Sequence, residues 1–257
     1  MSESDTDPAA AAGGQEEARQ AAGWAAAFGR VAGVLVAPGK TFQAIAARPT
    51  WVAPMLVLVL LSTVVGYMVT QRLDMAQALR HQNEVTGGRL TAEELDQRIE
   101  MVQKLQPFLA LFQGLIAAPA FYLLVALLFW VGFRLLGSEI TWTASLGTTL
   151  HGLMPLAVAA MLAIPVIWNR ASITQEEARG AAFLASSLAA FAPDDASATT
   201  RALLGSVDLF SLWAIILLSI GYRTVARVSR AAAVGVVLSL WLLGVALKVG
   251  LIALFAR

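Results

Sequence analysis

Five charge-poor apolar runs divide the chain, from about Trp51 to Val69, Phe108 to Phe133, Ala144 to Trp168, Ser206 to Tyr222 and Ala231 to Phe255. A helix rises 1.5 Å per residue, so ~20 apolar residues cross the ~30 Å hydrocarbon core of a bilayer. Spanning strands are shorter and alternate between polar and apolar residues, which these runs do not. The pattern therefore predicts an all-α, polytopic membrane helix bundle with five transmembrane helices.

Composition narrows the function classes. The net charge is +1, with no concentrated basic surface of the kind that binds nucleic acid. There is no cysteine, which excludes disulfides, thiol nucleophiles, Cys-ligated metal and Cys palmitoylation. The Ala-rich, acidic N-terminus lacks the basic and apolar regions of a secretory signal, so the first span is expected to act as a retained anchor. Orientation follows Lys and Arg density near the spans. The short turn from Arg223 to Arg230 is basic and free of acids, whereas the loops on the other side are long and diluted with Asp and Glu. This predicts a multi-pass protein of the cell membrane, with its N-terminus and the Arg223–Arg230 turn cytoplasmic. Thr91, Asp194 and the C-terminus are then outside.

Three parts are expected: a disordered tail over 1–22, an amphipathic interfacial segment over 23–50, and the five-helix domain over 51–257. In the second, Trp24, Phe28, Val31 and Leu35 recur at helical spacing before Pro38-Gly39, and Phe42 and Ile45 follow. This segment reads either as a helix pair lying in the inner headgroup layer or as helices packed on the bundle. In the first case Trp24, Phe28, Phe42 and Trp51 are the interfacial anchors. Further along, Thr91 to Glu94 has the form of a capping box, opening a helix with Leu95, Ile99, Val102 and Leu105 on one face. An Ala-rich helix is expected near Ala181 to Phe191.

Few motifs carry chemistry. Gly39-Lys40-Thr41 lacks the upstream glycine of a phosphate-binding loop, since Val34 stands in its place. His81 and His151 are the two histidines, too few and too isolated for a zinc-protease pattern. His151 lies within the third run beside Ser145, Thr148 and Thr149, a polar face that interhelical hydrogen bonding explains more simply than hydrolysis. Pro119, Pro155 and Pro165 are expected to kink their helices. Asp208 and Lys248 are charges inside spans, where ionisable groups are paired or functional. Counted from the basic turn, Asp208 stands ~22 Å and Lys248 ~27 Å along their helices, so an ion pair between neighbouring helices is expected. Together, His151, Asp208 and Lys248 form the candidate intramembrane polar site. No catalytic residue, metal set or cofactor is read from the sequence.

Several segments resemble a known family. Val36 to Ile45 (VAPGKTFQAI) and Arg48 to Pro54 (RPTWVAP) are similar to the opening of the Yip family domain, whose eukaryotic members interact with Rab/Ypt GTPases. Bacterial members are similar in the Thr91–Leu105 helix, in His151 to Pro155 (HGLMP), and in Asp208 to Trp213 (DLFSLW). The resemblance implies a five-helix membrane domain with a cytoplasmic N-terminus and, for eukaryotic members, roles in trafficking and membrane shaping. The Ala-rich, Arg-over-Lys composition points to a GC-rich bacterium and its inner membrane. The expectation is thus a non-enzymatic protein of membrane organisation or partner-helix binding. The alternative is a small-solute or ion transporter using the interior around His151, Asp208 and Lys248. The expected partners are the lipid bilayer, then other membrane proteins or further copies of the chain.

Overall fold

The computed structural model describes residues 8–173, 184–193 and 195–255, with side chains from 22 to 254 of these. The helices, in order, are α1 (Pro8–Val36), α2 (Pro38–Ala47), α3 (Val52–Arg72), α4 (Met75–Val85), α5 (Ala92–Phe112), α6 (Ala118–Leu135), α7 (Trp142–Gly152), α8 (Met154–Trp168), α9 (Ala198–Leu204), α10 (Leu209–Val225) and α11 (Arg230–Phe255). Among the described residues there is no strand beyond two isolated bridges. The expected disordered tail falls on 1–22, of which only the helical backbone from Pro8 onward and the side chain of Ala22 are described.

The apolar runs become five antiparallel crossings: α3, α5–α6, α7–α8, α10 and α11. Among the described residues, four helical stretches are long and apolar enough to cross a membrane, and α10 is a shorter apolar helix of 17 residues. Large hydrophobics such as Leu60, Phe121, Ile216 and Leu247 are exposed around the bundle, the outward face that lipid covers. The interior is built from Leu58, Phe129, Phe133, Leu150, Met154, Leu217 and Tyr222.

Prolines shape two crossings. The second is one continuous helix from Ala92 to Leu135, 44 residues long. Pro119 lacks an N–H and its ring crowds the carbonyl four residues back, which an α turn cannot absorb without loss. Here the strain is taken up by a π turn over Gln113–Ala117, where the Ala118 N–H bonds the Gln113 carbonyl. That turn sets Gly114 hard against Thr63 of α3, where a Cβ would collide with the threonine side chain and backbone. The third crossing breaks at Leu153, where α7 ends and Pro155 enters the first turn of α8.

Caps fix where the helices begin and end. Thr91 and Glu94 form the expected capping box, Thr141 caps α7, Ser197 caps α9 and Asp208 caps α10. After α6, Gly137 takes φ +82° and the Ser138 N–H returns to the Phe133 carbonyl, a turn that only a residue at ease in the left-handed region makes cheaply. At the far end Arg72 joins two crossings. Its guanidinium donates to the carbonyls of Trp168 and Arg170 at 3.2 and 3.1 Å and lies over the Trp168 ring.

The long connection after α8 departs from expectation. Residues 174–183 and Asp194 lie outside the described residues, so the first part of the Ala-rich helix and the placement of Asp194 do too. The described remainder is not α-helical. Ser187 pairs in extended form with Asp208, and only Leu188–Phe191 forms a short 3-10 turn. Backbone bonds from Leu188 N to Val207 O and from Leu209 N to Ser186 O claim the groups that a helix would have used.

Candidate functional site

The polar interior centres on Tyr222, a residue the sequence reading did not single out. Its side chain is fully buried, stacked on Phe133 with ring centroids 4.4 Å apart and against Phe129 at 4.9 Å. The hydroxyl lies 2.8 Å from Ser145 Oγ and 2.7 Å from Thr149 Oγ1, and Ser145 Oγ donates to the Ala126 carbonyl at 3.1 Å. Each hydroxyl has one hydrogen to give. With Ser145 donating to Ala126, Tyr222 donates to Ser145 and Thr149 to Tyr222. One directional chain therefore links α10, α7 and α6 and leaves no hydroxyl unmet. The signal was present in the sequence: Ser145, Thr148 and Thr149 share a helix face, and a tyrosine near a span end has both an apolar ring and a polar tip.

His151 is buried on the same helix. Its Nδ1 lies 2.8 Å from the Gly147 carbonyl, which can only accept, so Nδ1 carries the hydrogen. The other nitrogen, Nε2, is buried without a partner among the described residues. Gly152, the next residue, packs against Leu218 of α10. Asp208 heads that same α10, ten residues before Leu218 and so roughly 15 Å along the helix. The structure thus separates His151 from Asp208 and Lys248.

Asp208 and Lys248 do reach the same end of the bundle, as depth counting suggested, but they do not form the expected ion pair. The Asp208 carboxylate accepts from the Phe210 and Ser211 amides at 2.9 and 3.1 Å and from the Ser211 hydroxyl. Lys248 Nζ donates to Ser206 Oγ at 3.2 Å. A helix N-terminus offers unsatisfied N–H groups and positive potential at no desolvation cost to a second charge, so it claims the carboxylate first.

The anchors divide. Trp24 and Phe28 are about half exposed and face each other, and Trp51 is exposed at the start of α3. Phe42 does not face outward: it is fully buried, with Val34 and Ile45, between α2, α7 and α10. A Cβ at Gly221 would come within 2.7 Å of its ring and 2.9 Å of Thr148 Cγ2, so the glycine is what admits α2 into the bundle. Arg30 ties α1 to the same place, donating to the Arg48 carbonyl and the Thr50 hydroxyl at 3.1 and 3.0 Å. Of the two readings of this segment, packing on the bundle describes α2, while Trp24 and Phe28 on α1 stay outward.

The two ends of the bundle differ in charge. The end that carries α2, the α6–α7 loop and the α10–α11 turn holds Arg30, Lys40, Arg48, Arg134, Arg223, Arg227 and Arg230, with Glu139 as the acid among its described side chains. The opposite end mixes both signs, in ion pairs such as Arg80–Asp96 and Lys104–Glu100.

A family model of the Yip1 domain covers residues 32–251. The chain belongs to the Yip1 family. No curated protein and no solved structure matches it. The Yip1 match begins within α1 and ends within α11, so it takes in the seated α2, the Tyr222 network and all five crossings. The chain is accordingly a Yip-class integral membrane protein, in contact with lipid.

Proposed function

We propose that the chain is a non-enzymatic organiser of the membrane, acting from the leaflet that meets its basic end. The observation that carries this reading is the seated α2. Phe42 and Ile45 lock this helix into the bundle, so the Arg and Lys residues around it form a fixed basic platform. Such a platform attracts the anionic surface of a cytoplasmic leaflet, with about 1 kcal/mol contributed per basic residue near it. That arrangement also supports a cytoplasmic N-terminus in the cell membrane.

Less supports transport. The hydroxyls of the interior are consumed by one another, and His151 stands apart from Asp208 and Lys248. Neither the cavity at the basic end nor the groove beside Trp130 and Trp142 is lined by any of these three.

Reconstitution of the full chain into vesicles containing anionic lipid tests the proposal. Cryo-electron microscopy is expected to show altered vesicle size or shape relative to protein-free vesicles, and Phe42→Glu, which unseats α2, to abolish the effect. Unchanged vesicles with the parent chain would sink the organising role. A proton or ion flux lost in His151→Ala would favour transport instead. Impermeant thiol labelling of Ser229→Cys and Thr91→Cys, in a chain free of other cysteines, reports the orientation.

A further inference from the structure

At the basic end, the α6–α7 loop, the α10–α11 turn and the α2–α3 link enclose a cavity of about 950 Å³. Its walls include the apolar Leu136 and Val228 and two opposite charges, Arg227 and Glu139. The wall hydroxyls of Ser138, Thr141 and Ser229 are already engaged, with the Ala226 carbonyl and with the Ala144 and Ala232 amides. Arg227 and Glu139 are both exposed, and the ion pairs among the described residues, Arg80–Asp96 and Lys104–Glu100, involve neither. Arg227 is also the one non-glycine described with positive φ, at 55°. A residue other than glycine, Asn or Asp is uncommon there.

We propose that this cavity binds the headgroup of an aminophospholipid, a phosphoethanolamine, with Arg227 on the phosphate and Glu139 on the ammonium. The cavity lies where spans end, which is the depth of lipid headgroups, and its volume falls in the range of small-ligand sites. A guanidinium takes a phosphate through paired N–H bonds, and a carboxylate takes a primary ammonium through charge-assisted ones. The alternatives fit less well. An anionic headgroup would satisfy Arg227 but set a further negative charge against Glu139. A choline ammonium has no N–H to give the carboxylate. The apolar wall formed by Leu136 and Val228 gives the glycerol end of the lipid a path toward the bilayer. The inference needs only that this end of the bundle meets headgroups, and so stands whether or not the chain shapes membranes.

Native mass spectrometry of the full chain tests it, with phosphatidylethanolamine, phosphatidylglycerol and phosphatidylcholine added in turn at equal concentration. The parent is expected to retain phosphatidylethanolamine more strongly than phosphatidylcholine, while phosphatidylglycerol is held by the basic platform as a whole and not by the cavity pair. Glu139→Gln and Arg227→Gly should each lower phosphatidylethanolamine retention at least about tenfold, as expected when a charge-assisted contact is lost. Arg227→Gly removes the guanidinium while suiting the positive φ, so a folding defect does not confound it. Arg134→Ala, at the same end but outside the cavity walls, should leave retention unchanged. Equal retention of phosphatidylethanolamine and phosphatidylcholine by the parent, or phosphatidylethanolamine retention indifferent to both cavity variants, would overturn the assignment.

Discussion

The ring of Phe42 occupies the space that a side chain at Gly221 would need, so a helix from before the first crossing is keyed into the fourth. This contact connects the basic platform to the bundle core.

Gly221→Ala is expected to push Phe42 out of its seat. Overpacking of a filled site costs about 1–3 kcal/mol, visible as a lower melting temperature in detergent. Phe42→Leu should recover part of that loss in the double variant, because residues in contact are not additive. Two independent losses would mean that the ring moves aside freely.

The Tyr222 hydroxyl gives a second test. Tyr222→Phe keeps the stacking on Phe133 but leaves Thr149 without its interhelical partner, at a cost of about 1–3 kcal/mol for a buried unmet group. Tyr122→Phe, which removes a single bond to the half-buried Ser62, should cost less. Equal melting temperatures for the two variants would argue against the directional chain from Thr149 to Ala126.

Asp208 and Lys248 are expected to behave as independent residues. Asp208→Ala removes an N-cap and should cost about 0.5–2 kcal/mol, while Asp208→Asn should be milder because Asn also caps. Combined with Lys248→Met, the losses should add within about 0.5 kcal/mol. A larger coupling in the thermodynamic cycle would restore the ion pair.

The capping box of α5 predicts a pH dependence outside the membrane. Hydrogen bonds from the Thr91 amide and hydroxyl hold the Glu94 carboxyl below its ordinary range. A depressed carboxyl stabilises the folded helix fully above the unfolded range. That contribution is lost as pH falls through the folded value, when the proton displaces the amide. Hydrogen exchange at the first turn of α5 should therefore lose protection on acidification, and Glu94→Gln should flatten the dependence.

The crossings were legible because length and apolarity alone decide what can span a bilayer. The seating of α2 was not, because an amphipathic stripe looks the same whether it faces lipid or protein; only the placement of Gly221 across from Phe42 distinguishes them. Depth counting placed Asp208 and Lys248 at one end correctly. It failed on their partners because capping is local: Asp208 stands directly before an apolar run, an N-cap signal that outranked the distant lysine. Tyr222 was missed because its hydroxyl partners Ser145 and Thr149 and its ring partners Phe129 and Phe133 come from two other helices, and sequence spacing reports faces within a helix, not which faces meet.

The shortness of α10 has a consequence for the surrounding lipid. Its 17 residues reach ~25 Å, whereas the 26 of α11 beside it reach ~39 Å, against a core of ~30 Å. Asp208 caps one end and Arg223 stands in the last turn at the other, while Leu209, Leu212 and Ile216 are exposed between them, on the face left for acyl chains. Lipid along that flank must compress, and α11 must lean, each at fractions of a kcal/mol per Å of mismatch. The elastic cost along such a flank is smallest where the bilayer is thinner.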